Sequence, residues 1–186
     1  MRSGATEDIP LLRLNRLLAE IWERNPFYTR KWRTALVGPP RVPTLKEFVR
    51  FPFTTRAELL ADQAANPPLG TNLTFPAQDC KRMHRSSGTT RCPLWWADTP
   101  ASWQSVLGCS RKLFDLAGVG VQDRLFFLMP FTGSSGPWIM YEGAGRLGCA
   151  CGTAGAAEAA EQLVMLECFQ PSVVLGKPRH LQAFGR

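Results

Sequence analysis

The run Arg85-Ser86-Ser87-Gly88-Thr89-Thr90-Arg91-Cys92-Pro93 gathers four hydroxyls around one glycine and sets an arginine on either side. Hydroxyl donors and successive main-chain amides can wrap phosphate oxygens, because glycine lets the backbone approach closely and neighbouring amides form an anion-binding concavity. Arg85 and Arg91 add positive charge beside it. A plain polar hairpin loop has the same composition, since serine, threonine and glycine are common turn residues. The run is not a Walker loop: there is no GxxxxGK[ST] pattern and no helix directly after it.

Six cysteines (Cys80, Cys92, Cys109, Cys149, Cys151 and Cys168) and two histidines (His84 and His180) are the other groups with chemical potential. No CxxC pair exists, and Cys149 and Cys151 alternate along an apolar, strand-like run. Buried free thiols in a reducing cytoplasm are the reading these spacings favour over a zinc site or disulfides. His84 lies just before the hydroxyl run, either as part of its chemistry or as a strand residue satisfied by hydrogen bonds.

The elements that must hold the run can be read around it. Upstream, Leu11, Leu14, Leu18, Ile21 and Trp22 predict an amphipathic helix over 9–24, ended by Asn25-Pro26. Thr44 with Glu47 and Thr55 with Glu58 form capping-box patterns and predict short helices near 45–50 and 56–65. Residues 80–85 read as a strand, Ser86–Pro93 as a loop and Leu94-Trp95-Trp96 as a returning strand. Thr99-Pro100 starts a helix that Gly118 stops.

Strands over 124–129, 148–152 and 172–176 then alternate with helices near 136–147 and 155–169, the last including the alanine-rich stretch 154–160. That alternation indicates βαβ units and a parallel sheet, and Leu125-Phe126-Phe127-Leu128 suits a strand covered on both faces. The fold class expected is α/β: a helical N-terminal region over 1–75, then over 76–186 the first part of an α/β domain containing the loop 86–93. A further helix begins over 178–184 as the chain reaches Arg186, which leads to the expectation of a truncated sheet.

The chain of 186 residues has 45% hydrophobic and 20% charged residues, the composition of a globular domain. Its formal charge of +7 gives anionic partners a hearing. The basic residues are spread out, with local concentrations over 30–33 and 81–91, and lack the tight run of a nucleic-acid arm. No apolar run approaches the ~20 residues needed to cross a bilayer. The opening MRSGATEDIP carries acid and has no apolar signal core, so the expected location is cytoplasmic, without membrane or nucleic-acid partners.

Several segments together carry a family resemblance. Ser86-Ser87-Gly88-Thr89-Thr90 followed by Pro93 resembles the SSGTTGKP phosphate loop of adenylate-forming enzymes. Arg82-Met83-His84 resembles the R-I/L-H before that loop in phenylacetate–CoA ligases. Phe51–Leu59 is similar to the family's LPFTTKxDL, Asn25-Pro26-Phe27-Tyr28 to its NxPFYR, and Glu142–Gly148 to its YGAERLG, all in family order.

The resemblance implies an AMP-forming acyl- or aryl-CoA ligase, in which carboxylate and ATP give an acyl-adenylate and pyrophosphate before CoA forms the thioester. By position, Ser87, Gly88, Thr89 and Thr90 would hold the ATP phosphates, with Ser86 supporting and Arg91 adding charge. Phe131–Trp138 matches the stretch beside the acyl pocket. Gly136 would admit the substrate carboxylate, while Phe131 and Trp138 would either line an aromatic slot or pack a helix start against the sheet. ATP, Mg2+ and CoA are the implied cofactors and co-substrate, an aryl or acyl carboxylate is the substrate, and a homodimer is a conceivable assembly.

Arg91-Cys92 stands where the family has Gly-Lys, which restricts the loop and removes a lysine contact that the Arg91 guanidinium would replace. The adenine motif, the magnesium-binding acid, the ribose aspartate and the C-terminal lysine have no counterparts here, so no catalytic residue is assignable and the chain alone is expected to be inactive. The alternative reading is a non-catalytic short homologue serving as a binding or assembly module.

Overall fold

Asn25 stops one helix and starts the next in the computed structural model. α1 (Gly4–Arg24) delivers it and α2 (Pro26–Ala35) follows at once. The Asn25 Oδ1 accepts the Tyr28 amide at 3.1 Å, while its Nδ2 donates to Asn72 and Thr74 at 3.0 and 3.2 Å. Pro26 occupies the first helical position, where a missing N–H costs nothing. The first helix ends at Asn25-Pro26 as its sequence predicts, and a second helix, not expected from the sequence, begins there at once.

The structure describes residues 4–35, 38–86 and 92–184. It divides into two compact units, residues 1–83 with 88–99 and residues 84–87 with 100–186. In the first unit the apolar face of α1 and Trp32 of α2 enclose Leu18 and Val42, with Leu11, Leu14, Ile21, Trp22, Tyr28 and Phe51 packed around them. Asn15 pairs with the Val42 backbone like a strand neighbour, donating to its carbonyl and accepting its amide, both at 2.9 Å.

α3 (Arg56–Ala65) carries the capping box expected of Thr55 and Glu58. The corresponding box at Thr44 does not form: Leu45–Arg50 is a 3-10 helix with no side-chain cap bond. There Glu47 is held instead by Arg50 at 2.7 Å, a pairing that competes with the reach back to the cap. β1 (Arg82–Arg85) and β2 (Trp95–Asp98) make a two-stranded sheet, and the division between units falls within β1.

In the second unit α4 (Pro100–Leu116) precedes β3 (Arg124–Leu128), α5 (Ser135–Leu147), β4 (Ala150–Thr153), α6 (Ala159–Phe169), β5 (Val173–Gly176) and α7 (Pro178–Phe184). The order β4-β3-β5 is parallel throughout, with Leu125 beside Cys151 on one side and Val173 on the other. β3 is therefore the central strand, covered on both faces as its apolar run predicted. Leu125 and Phe127 pack on Phe114, Val119, Ala144 and Cys149; Phe126 and Leu128 pack with Ala154 against Met165, Leu166 and Phe169.

Two expectations need correction. The alanine-rich stretch is not helical from its start, because Gly155 adopts φ +59 and α6 begins only at Ala159. The cysteines are all free, yet only Cys149 is fully buried; Cys80 and Cys151 are half-buried and Cys92, Cys109 and Cys168 are exposed. Among the described residues no helix is long and apolar enough to cross a membrane.

Candidate phosphate and acyl site

The last two residues of β1, His84 and Arg85, belong to the second unit. His84 is 5% exposed, and its ring stacks on Trp103 of α4 with centroids 4.9 Å apart and planes at 26°. The next residue, Arg85, donates its amide to the Gly133 carbonyl at 2.8 Å. A Cβ on Gly133 would lie 2.7 Å from Arg85 Cγ and 2.8 Å from its Nε, so the arginine stem rests directly on this glycine. Ser86 follows. Ser87, Gly88, Thr89, Thr90 and Arg91 lie outside the described residues.

Gly133 belongs to the turn that leaves β3 at its carboxyl end and enters α5. Openings at the carboxyl ends of parallel strands are where α/β sheets commonly bind ligands, because the strand-to-helix turns are free to vary above a fixed sheet. Here the turn carries hydroxyls: Thr132 Oγ1 and Ser134 Oγ are 3.4 Å apart. Ser134 precedes the first turn of α5 in an extended conformation and makes no side-chain cap bond.

The same turn places the predicted acyl-pocket residues. Phe131 and Trp138 meet edge to face at 4.9 Å, and Phe131 also lies edge-on to Tyr141 at 5.3 Å. The Trp138 indole N–H donates to the Thr132 carbonyl at 3.2 Å. These rings continue to Phe127 through Tyr141 at 5.3 Å, so the aromatic group is anchored in the core rather than hung from a loop. Gly136 faces open space, with no heavy atom within 4 Å of where its Cβ would be. Phe131 and Trp138 are thus brought together, and Gly136 lies in the first turn of α5 with open space where a Cβ would be.

Polar anchoring at the other end of the sheet is of a different kind. Asp123, before β3, accepts the Gly120 amide at 2.8 Å and the Ser172 hydroxyl at 2.7 Å. Those two bonds, the amide first, hold its carboxyl below the usual carboxylate range. Burial pushes the Cys149 thiol up, with Asp123 adding to it, and burial does the same at Cys151. Both are therefore protonated near neutrality and poor nucleophiles or metal ligands. Among the described residues no cluster of His, Cys, Asp or Glu could hold a metal ion.

Sequence reasoning missed Trp103 and Glu142 as supports of this site. Glu142 accepts the Trp103 indole N–H at 2.7 Å across 39 residues of sequence. No local pattern marks that pairing, which only the α4–α5 contact creates.

No family profile matches the chain. It is similar to curated phenylacetate–CoA ligases: 25% identical to that of Escherichia coli over 186 residues, covering 97% of this chain and 41% of the relative. The Thermus thermophilus enzyme is 28% identical over 184 residues, covering 91% of this chain and 37% of the relative. Among solved structures, 2-hydroxyisobutyryl-CoA ligase in complex with 2-HIB-AMP and CoA superposes with a TM-score of 0.85 at 28% identity, over 96% of this chain and 38% of that one. The chain spans about two-fifths of the length of the curated relatives it matches. Sequence and fold agree with the N-terminal portion of such ligases, a part of the domain with the parallel sheet.

Proposed function

We propose that this chain is the N-terminal part of an AMP-forming acyl- or aryl-CoA ligase, with Ser86–Arg91 as the segment that holds the ATP phosphates. The observation that carries the reading is the tie between Arg85 and Gly133, which fixes the start of the hydroxyl run at the carboxyl end of the central parallel strand. The sequence similarity to phenylacetate–CoA ligases over almost the whole chain supports it.

In this reading the hydroxyls and amides of Ser87, Gly88, Thr89 and Thr90 align the β- and γ-phosphates so that pyrophosphate leaves as the carboxylate attacks the α-phosphate. Phe131 and Trp138 offer an aromatic wall to an aryl or acyl group, and Gly136 leaves room for the carboxylate beside the backbone. ATP would bring Mg2+ on its phosphates, and CoA would complete the second half-reaction. Both belong to the whole ligase, as do a cytoplasmic location and a homodimeric assembly. The residues that would bind adenine and ribose and promote adenylation are not in this chain.

Pyrophosphate release tests the reading. The 186-residue chain, joined in frame to the remaining portion of the Thermus thermophilus relative, is assayed with ATP, Mg2+ and a panel of aryl and aliphatic acids. Acid-dependent release that Thr89→Ala/Thr90→Ala depresses is the expected result. A folded chimera that releases none, beside an active parent, favours the second reading of a non-catalytic module. Arg91-Cys92 in the place of Gly-Lys is the observation that keeps that reading in play.

A further inference from the structure

We propose that the first unit holds a binding site of its own for a small organic monoanion, a carboxylate on an aryl or compact apolar body. The site is the cleft between the start of α2 and the segment 70–77. It uses neither the hydroxyl run nor the Phe131–Trp138 pair.

The cleft has a volume of about 540 Å3, within the range that takes small ligands. Its wall is mostly apolar, with Pro26, Leu73, Pro76 and the exposed ring of Phe75. Among the described residues that line it none is acidic, and the one cation is Arg24.

The guanidinium of Arg24 stands 5.8 Å from the centre of the Phe75 ring, so a positive charge and an aromatic face lie side by side. Among the described residues its one ion pair is to Glu20 at 3.7 Å, between side chains 54% and 41% exposed. An exposed pair of this kind is worth little and does not hold the cation against a better acceptor. The planar fork of Arg24 is thus open to a carboxylate, which it can take with two parallel hydrogen bonds.

Thr74 supplies a second donor. Its Oγ1 accepts Asn25 Nδ2 at 3.2 Å, which leaves the hydroxyl proton to give to an anion. The segment that carries it is tied down from two sides. Phe27 of α2 donates its amide to the Thr71 carbonyl at 3.3 Å, and Asn25 Nδ2 donates to Asn72 at 3.0 Å. Asp62 of α3 accepts the Thr71 amide and hydroxyl, each at 2.6 Å. The cleft is therefore formed before a ligand arrives, and little ordering opposes binding.

One guanidinium and one hydroxyl match one carboxylate. A phosphate would set further charge against Leu73, Phe75 and two prolines, and charge without a partner is costly to desolvate.

The experiment is a fluorine NMR titration of the 186-residue chain with para-fluorobenzoate. The neutral para-fluorobenzamide and competition by inorganic phosphate serve as comparisons. Saturable binding of the benzoate is expected, with the amide weaker and phosphate a poor competitor. Arg24→Gln should weaken it about tenfold, the low end for a hydrogen bond to a charged group. Arg24→Lys should recover part of that, and Phe75→Ala and Thr74→Val should each weaken binding by a smaller factor. Trp138→Ala, in the candidate acyl site, and Arg111→Ala, a charge control, should bind like the parent.

If Trp138→Ala abolishes binding while Arg24→Gln leaves it intact, the carboxylate goes to the acyl site; this site is overturned and the acyl-pocket reading stands. If Arg111→Ala weakens binding as much as Arg24→Gln, the effect is net charge and the site fails. Phosphate that competes as well as unlabelled benzoate overturns the ligand class. A parent chain without saturable binding overturns the site and leaves the ligase reading to its own test on the chimera.

Discussion

Glu142 on α5 takes the indole N–H of Trp103 on α4 at 2.7 Å, and the Trp103 ring in turn carries the buried imidazole of His84. One carboxylate thus fixes the tryptophan on which His84 of β1 rests, two residues before Ser86. Trp103 is 5% exposed, so its N–H has little access to water once that acceptor is removed. Glu142→Ala should cost about 1–3 kcal/mol, the range for a buried donor left unmet. Glu142→Gln, which keeps an acceptor oxygen, should cost less. Urea unfolding followed by tryptophan fluorescence checks both, and an unchanged midpoint for Glu142→Ala would sink the claim.

The α4–α5 contact is close enough to demand glycine at its centre. A Cβ on Gly143 would fall 2.0 Å from Ser110 Oγ and 2.9 Å from Ser110 Cβ, and Ser110 is 1% exposed with nowhere to withdraw. Gly143→Ala is therefore expected to destabilise by about 1–3 kcal/mol despite alanine's better helix propensity. Ser110→Ala removes the nearer atom, so the double variant should be more stable than the sum of the two single changes predicts. Strict additivity in thermal unfolding would show that the helices separate instead of clashing.

The second unit was the more legible from sequence. β3, β4 and β5 and the helices between them follow from apolar runs and helical periods, since each strand is short and each period is local. What was not legible depended on side chains outside the local pattern that was read. Asn25 and Pro26 look like a stop, yet Asn72 and Thr74 satisfy the asparagine and let α2 begin. Thr44 and Glu47 have the spacing of a capping box, but Arg50 takes the glutamate. At the candidate site the hydroxyl run was visible as composition. The seat of Arg85 on Gly133 and the Glu142–Trp103 bond were not, because neither pair is close in sequence.

Acid should act on the first unit through Glu58. Its carboxylate is lowered from 4.5 to about 2, first by the Lys31 ammonium and then by the Thr55 amide and hydroxyl. A carboxyl whose pKa is depressed by folding stabilises fully above its unfolded value and loses that contribution as pH falls. The stabilisation from Glu58 is thus expected to be complete above about pH 4.5 and to vanish as pH approaches 2. Glu58→Gln should flatten this part of the acid limb in a circular-dichroism titration, and added salt should weaken it because the Glu58 side chain is exposed. Identical acid limbs for parent and variant would show that the Lys31 contact does not persist in solution.

Asp62 on α3 organises the turn that follows that helix. Its side chain is 5% exposed, and it accepts the Thr71 amide and hydroxyl, each at 2.6 Å, together with Arg30 Nη2 at 3.1 Å. Gly70 sits against the same carboxylate with φ +77, and a Cβ there would be 2.4 Å from Asp62 Oδ2. Two variants therefore attack one arrangement from opposite sides. Asp62→Asn keeps the size but turns one acceptor into a donor facing the Thr71 donors, so it should cost about 1–3 kcal/mol. Gly70→Ala keeps the carboxylate but adds backbone strain and a clash, with a cost of similar order. Because both break the same Asp62–Thr71 contacts, the double variant should lose clearly less than the sum. Chemical unfolding of the four proteins decides: additive losses would mean that Gly70 is needed only for its backbone conformation, independently of the carboxylate it touches.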